Sequence, residues 1–345
     1  MKTNLLDLSC DELKALAVEM GQPAFRGKQI FDWLLKGAES FDDMANLPKE
    51  FRQQLSETAQ IGGAKICEKY VSKIDETRKY LLQLNDGNFV ESVVMKYEYG
   101  YTICVSSQVG CKMGCKFCAS TLNGWSRNLS AGEIVSQVLC VQKDLGQRIS
   151  NIVMMGIGEP LDNFENVLKF IELVNAPEGL NIGQRHISIS TCGLADKIRE
   201  LAERKLQITL LISLHAPDDE RRSQIMPVNN KYKIAELIKA CDFYIEKTGR
   251  RISFEYTLIS GLNDNPEEAE KLANLVKGRL CHVNLIPVNK VVETGFDKSS
   301  RARIDKFKEL LERRGISATV RREMGSDINA ACGQLRNRKV NNKDI

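Results

Sequence analysis

Beyond residue 100 the chain alternates short apolar runs with amphipathic helical stretches. The runs are YTICVS, NIVMMG, HISIS, ITLLIS, ISFEYTLI and HVNLIPV. Between them lie EIVSQVLCVQKDL, ENVLKFIELV, KIRELAERK, IAELIKACDFYIEK and EEAEKLANLVK. Strands joined by helical crossovers pair in parallel, so this alternation predicts an α/β fold with helices outside a parallel sheet. Six units are two short of a closed (β/α)8 barrel. The expected architecture is a partial (β/α)6 barrel with one open side that admits a large substrate, its chemistry on loops at the C-terminal ends of the strands. Gly146 and Gly249 are predicted helix stops. RARIDKFKELLERRG and ISATVRRE then add a helix and a strand.

The first 60 or so residues read as helices. Ser9-x-x-Glu12 has the form of a capping box, and FRGKQIFDWLLKG and LPKEFRQQL continue the pattern, with Pro48 at a first helical position. Arg26, Lys28, Lys36, Lys49 and Arg52 lie among these helices, as a solvated face or as a phosphate-binding one. From residue 64 the pattern turns extended, and RKYLLQL and FVESVVMKY flank the hairpin signal Asp86-Gly87. The predicted division is a helical accessory domain at 1–60, a β-hairpin linker at 61–100, the barrel with a C-terminal cysteine loop at 101–335, and a basic tail at 336–345. The N-terminus, MKTNLLDLSCDELK, lacks a signal-peptide pattern. No apolar run approaches the roughly 20 residues of a membrane span. The expectation is a cytoplasmic protein with no membrane partner, in which the 11 cysteines are thiols, ligands or catalytic groups.

CKMGCKFC, residues 111–118, sets three cysteines at C-x-x-x-C-x-x-C with no histidine beside them. A structural zinc and a 4Fe–4S cluster each normally take four protein ligands. Three thiolates from one loop can hold three irons of a cluster and leave the fourth open to the amine and carboxylate of a small molecule. The competing reading is a zinc knuckle completed by Cys67 or Cys104. Phe117 is positioned to pack over the loop.

CKMGCKFC resembles the signature of the radical S-adenosylmethionine (SAM) enzymes, and GIGEP at 156–160 resembles that superfamily's glycine-rich motif. Glycines there let the backbone approach a ligand closely. The surrounding words CVSSQVGCKMGCKFC, GIGEPLDN, ISTCG, ISLHAPDDERRSQIMP, HVNLIPVN and INAACGQLR are similar, in order, to those of the adenine-C2 methyltransferases of ribosomal and transfer RNA. The resemblance runs from the hairpin to Leu335, and the N-terminal helices fit that family's accessory RNA-binding domain. It implies a radical-SAM barrel with Cys111, Cys115 and Cys118 as ligands of a 4Fe–4S cluster. It also implies SAM held by Gly158, Glu159, Ser190, Ser213, Leu214, His215 and Asn289, with Glu159 accepting from the methionine amine. Taken singly, Ser190 and Ser213 read equally as strand-end hydroxyls and His215 as a satisfied buried imidazole.

The resemblance further implies that Cys332 accepts a methyl group from one SAM. A second SAM, cleaved to a 5′-deoxyadenosyl radical, then activates that methyl for addition to the electron-poor ring carbon. Cys104 takes the ring proton and forms a disulfide with Cys332, and Glu91 handles a proton or positions the base. The implied substrates are one adenine of 23S rRNA, in the peptidyl-transferase centre, and an anticodon-loop adenine of tRNA. The implied partners are an external electron donor such as flavodoxin or ferredoxin and a thiol reductant, acting on a monomer. Cys10, Cys67, Cys140, Cys192, Cys241 and Cys281 read as small buried hydrophobes. Two alternatives stand. One is the antibiotic-resistance relative that methylates carbon 8, against which Pro160 and Pro287 speak. The other is a zinc-stabilised RNA-binding protein without chemistry.

Overall fold

A computed structural model describes residues 2–336, so of the basic tail only Arg336 falls within it. Helices α1 (Cys10–Glu19), α2 (Phe25–Leu35) and α3 (Lys49–Thr58) form the N-terminal module. Its ends are joined by a parallel pair, β1 (Thr3–Asn4) with β2 (Ala59–Gln60). The predicted capping box is present: Ser9 Oγ accepts from Glu12 N–H while the Glu12 carboxylate accepts from Ser9 N–H. Pro48 takes the cap position, one residue before the helix it was expected to begin. Leu13, Ile30, Phe31, Leu34, Phe51 and Leu55 give the module an apolar core of its own.

Four strands follow in antiparallel order: β3 (Lys65–Val71), β4 (Arg78–Gln83), β5 (Phe89–Tyr97) and β6 (Gly100–Cys104). A short ribbon pairs β7 (Gln108–Gly110) with β8 (Trp125–Asn128). The chain then alternates helix and strand. It runs α4 (Ala131–Leu145), β9 (Ile149–Met154), α5 (Phe164–Asn175), β10 (Ile187–Thr191), α6 (Ala195–Glu203) and β11 (Thr209–Ser213). After α7 (Asp219–Ile225) and α8 (Ile234–Thr248) come β12 (Ile252–Leu258), α9 (Pro266–Val276) and β13 (Cys281–Pro287). The last elements are α10 (Arg301–Arg313) and β14 (Ala318–Val320). Gly146 and Gly249 end α4 and α8 in the left-handed conformation, as their positions predict.

One ten-stranded sheet results, in the order β14-β13-β12-β11-β10-β9-β6-β5-β4-β3. The six expected barrel strands are β6 and β9 to β13, in parallel register, and β14 pairs with β13 as a further parallel strand. The sheet opens between β14 and the antiparallel extension. The segment after β14 crosses that opening and bonds to the extension at several points. Asp75 accepts from Gly325 N–H at 2.8 Å, and Asp327 accepts from Lys73 N–H at 2.9 Å. Lys79 Nζ donates to the Asn329 carbonyl at 3.2 Å, and Glu91 accepts from Arg336 N–H at 2.7 Å. This strap carries Cys332.

The N-terminal module docks on α4. Asp7 accepts from Gly132 N–H at 2.6 Å, and a Cβ at Gly132 would lie 2.7 Å from the Leu6 carbonyl carbon, so only glycine lets the two chains approach this closely. All 11 cysteines are free thiols, and the disulfide implied by the resemblance is no part of this fold. Cys67 corrects another expectation: it is exposed rather than buried, because it lies on the edge strand β3 where the register shifts between Ile66 and Glu68 and leaves it out of the pairing. Among the described residues no helix is long and apolar enough to cross a membrane.

Candidate functional site

The cysteine loop springs from the β7–β8 ribbon, which brings its two ends together. Cys111 N–H donates to the Gly124 carbonyl at 2.9 Å, and within the loop Cys118 N–H donates to the Cys115 carbonyl at 3.1 Å. Lys116 N–H donates to the Ile225 carbonyl, anchoring the loop on α7. The rings of Phe117 and His215 lie with their centroids 5.0 Å apart and their planes nearly perpendicular, so this aromatic packs against a residue just beyond β11.

Cys111, Cys115 and Cys118 line one cleft at the C-terminal ends of the barrel strands, enclosing about 920 Å³ of space partly open to solvent. Gly158, Glu159, Ser190, Ser213, His215, Asn289 and Cys332 line the same cleft. Leu214 does not: it is fully buried in the core behind the strand end, and its carbonyl accepts from Arg222 Nε. Cys67 lies away on β3, so it is not available as a fourth ligand.

The donor set fits an iron–sulfur cluster. Burial pushes the Cys111 thiol up to about 12 and the Cys115 thiol well above its ordinary value, and their neighbouring thiols add to the effect. Cys118 is raised for the same first reason. Metal ligands must be thiolates, so binding here draws its charge balance from the metal. Among the described residues no group of three His, Cys, Asp or Glu converges as ligands of a single ion. Three soft sulfurs along one wall suit a multi-iron cluster, and the volume suits a nucleoside-sized cofactor beside it.

The cleft's polar groups are fixed from behind. Gly158 has φ +108°, and a Cβ there would lie 2.6 Å from Gln108 Cβ; Gln108 Oε1 accepts from Glu159 N–H. The Glu159 carboxylate accepts from Leu161 N–H at 3.0 Å and Cys192 N–H at 2.7 Å, and the Thr191 and Cys192 side chains also hydrogen-bond to it. Burial raises this carboxyl, against the lowering by those amides. His215 has φ +58°, and its Nδ1 accepts from Thr257 N–H at 3.0 Å. Burial, with the Arg222 charge, lowers its pKa to about 3. The imidazole is therefore neutral with its proton on Nε2.

Three residues of the site escaped the sequence reading. Glu255, a lone acid inside the apolar run of β12, accepts from Ser190 Oγ at 2.6 Å and stands 3.4 Å from Ser213 Oγ. Its Oε1 is buried, has no hydrogen bond among the described residues, and lies 3.7 Å from Arg321 Nη1. Arg222 is fully buried and donates to the carbonyls of Cys192, Ser213 and Leu214, which ties the ends of β10 and β11 together. Arg321, just beyond β14, carries a guanidinium whose pKa is raised first by the Cys332 sulfur and also by Glu255. Only the acid in an apolar strand left a signal in the sequence.

Cys332 also lines a second cavity of about 570 Å³, whose walls include Val93, Met95 and Cys104. Met155, Asn289 and Arg321 border both cavities with it. Burial pushes the Cys104 thiol up to about 12, and the nearby Cys332 adds to this. Burial likewise raises Cys332, while Arg321 acts in the opposite sense. The Cys332 turn is clamped from several sides. Asn289 Nδ2 donates to the Cys332 carbonyl at 2.9 Å, Ala119 N–H to the Gly333 carbonyl at 2.7 Å, and Ser120 Oγ to the Leu335 carbonyl at 2.8 Å. Glu91 is buried and lines neither cavity. It accepts from Arg336 N–H and lies 3.7 Å from Lys79 Nζ, which makes it an anchor of the strap.

Comparison with known proteins agrees with this geometry. Residues 105–276 match the Radical SAM superfamily, and residues 3–61 match the ribosomal RNA large subunit methyltransferase N-terminal domain. A probable dual-specificity RNA methyltransferase RlmN of Clostridium perfringens is 58% identical over 343 residues, covering 99% of each chain. That of Clostridium tetani is 59% identical over 339 residues, 98% of this chain and 97% of the relative. A radical SAM methyltransferase from Sphaerobacter thermophilus superposes with a TM-score of 0.93 at 44% identity, covering 97% of this chain and 99% of that one.

Proposed function

The chain belongs to the RlmN family of radical SAM RNA methyltransferases, and we propose that it methylates carbon 2 of adenine in 23S ribosomal and transfer RNA with Cys332 as methyl carrier and Cys104 as the releasing group. One observation carries this division of labour. Cys332 borders the cleft of the three cysteines on one side and the cavity holding Cys104 on the other.

Cys111, Cys115 and Cys118 would hold the cluster, with Glu159, Ser190, Ser213 and Asn289 around its SAM. Bound there, the cluster and SAM supply a 5′-deoxyadenosyl radical, able to take one hydrogen atom from a methyl group on Cys332. The thiolate form of Cys332 is what accepts that methyl by displacement, and the Arg321 guanidinium beside it favours the thiolate. Once the Cys332 carbon is bonded to the ring, Cys104 takes the ring proton, and the unpaired electron of the adduct would pass back to the cluster held by the three cysteines. The Cys104 sulfur then bonds to the Cys332 sulfur as the bond from that sulfur to the methylene carbon breaks, and the carbon takes the proton that Cys104 gives up, leaving as the methyl group of the base. A thiol reductant reopens the disulfide and returns the free thiols seen here. Glu91 contributes by holding the strap. The cofactor does the radical chemistry, and the chain places and shields it.

Residues 1–60 serve as an RNA-binding accessory domain on this reading, 61–100 as the extension that receives the strap, and 101–335 as the catalytic unit. A low-potential electron donor reduces a monomeric enzyme. The test is anaerobic reconstitution with SAM, reductant and ribosomal or transfer RNA, followed by mass-spectrometric mapping of the methyl group. Methyl on carbon 2 of adenine in both RNAs is expected. Methyl on carbon 8, or none with full iron content, would overturn the reading.

A further inference from the structure

If Cys332 and Cys104 react with a base in the second cavity, the RNA must reach that cavity and leave a neighbouring nucleotide outside it. Strand β5 supplies a path. Side chains of a strand alternate between faces, so Val93, Met95 and Tyr97 share one face. Val93 and Met95 line the cavity, and Tyr97 packs on the apolar cluster that contains them and Cys104. Four residues of strand cover roughly 13 Å, which carries this wall from the reacting thiols to the protein surface. There the hairpin turn between β5 and β6 presents Tyr99, 68% exposed. The Tyr99 ring lies on that of Tyr97 at 5.0 Å with 6° between their planes. Tyr97 is half-buried against the cluster, and Tyr99 stands on its solvent side. Arg322 is exposed on the rim of the same cavity.

An exposed tyrosine at a turn tip has ordinary uses, but a parallel stack of two, continuous with a cavity that must receive a base, has a specific one. Single-stranded RNA is bound by aromatic faces on which unpaired bases stack and by cations that meet the backbone. Extracting one base from a stack also leaves its neighbour without a partner. We propose that Tyr99, backed by Tyr97, is the stacking platform for the unpaired nucleotide next to the target adenine. The inference rests on the methyltransferase reading and adds to it the surface that receives single-stranded RNA. Tyr99 acts here on substrate binding and takes no part in the radical step.

The test uses the full-length holoenzyme and an RNA stem-loop with the target adenine in its loop. Tyr99→Ala should raise KM for the RNA roughly 5- to 150-fold, the range of one lost base–aromatic stack. Its kcat and the rate of methyl loading on Cys332 should stay at the wild-type value. Tyr99→Phe should restore KM, whereas Tyr99→Leu, equally apolar but without a π-face, should not. With 2-aminopurine beside the target, binding should quench fluorescence in the wild type and much less in Tyr99→Ala. An unchanged KM in Tyr99→Ala, or full rescue by leucine, would overturn the proposal. A wild-type enzyme that methylates no RNA would instead overturn the function on which it rests.

Discussion

Two loops carry four of the five cysteines that the proposed reaction uses, with Cys104 on β6 as the fifth, and the loops are built in opposite ways. The loop of Cys111, Cys115 and Cys118 is local: an adjacent ribbon closes it, and most of its internal bonds join residues a few positions apart. The Cys332 turn is held from afar, by Asn289, by Ala119 and Ser120, and through the strap by Asp75, Lys79 and Glu91. A loop closed mainly by its own ribbon depends less on remote elements, its anchor to the Ile225 carbonyl of α7 aside. A turn fixed by distant partners is only as well placed as the elements that reach it, so damage remote in sequence should fall on methyl transfer before it falls on SAM cleavage.

The sharpest way to break this contrast is to remove a ligand. Cys111→Ala, Cys115→Ala or Cys118→Ala should lose the cluster and all reductive SAM cleavage, read as iron content and 5′-deoxyadenosine formed. Retention of both by all three variants would dismiss the local loop as the cluster site. The distant anchor comes next. Glu91→Gln removes a charge-assisted bond of a kind worth about 1.5–3 kcal/mol, and RNA methylation should fall roughly 10- to 100-fold with it. SAM cleavage without RNA should hold near the wild-type rate. Equal loss of both activities would mean that the two loops are not independent.

A smaller effect separates charge from position. Below its pKa a thiol gains tenfold in thiolate for each pH unit, and Arg321 lowers a pKa that burial has raised. Arg321→Met should therefore shift the pH profile of methyl loading on Cys332 to the alkaline side. The loading rate at neutral pH should drop several-fold and recover as pH rises. A profile that does not move would remove Arg321 from the activation of Cys332. Smallest is the contribution of single exposed cations of the N-terminal module. Lys36→Ala or Lys49→Ala should weaken RNA binding a few-fold and flatten its salt dependence by about one ion, with SAM cleavage unaffected.

The same contrast explains what could be read in the sequence. The strand–helix alternation, the capping box at Ser9, the helix stops at Gly146 and Gly249 and the Asp86-Gly87 hairpin are all short-range patterns, and all appear in the structure. The cysteine loop was legible for the same reason. The cleft residues at successive strand ends came from the resemblance, and the parallel strand order explains why they meet in one cleft. Glu91 was legible as a residue and not as an anchor, because its partner Arg336 is more than 200 positions away. Arg321 and Arg222 gave no local sign, since a buried arginine reads as a surface cation until its acceptors are seen. Leu214 was carried into the expected ligand set by its neighbours Ser213 and His215, although side-chain alternation turns it into the core.

The central claim is that Cys332 carries the carbon and Cys104 releases it, across a wall that both cavities share. Cys104→Ala tests it most directly. That variant should load methyl on Cys332 and cleave a second SAM at wild-type rates, then stop with RNA joined to Cys332 through a single methylene carbon. A denaturing gel should show a protein band retarded by the mass of the RNA, and peptide mapping should put the link in the fragment containing AACGQL. Free turnover by Cys104→Ala would contradict the account, as would its failure before any cross-link in the same manner as Cys332→Ala.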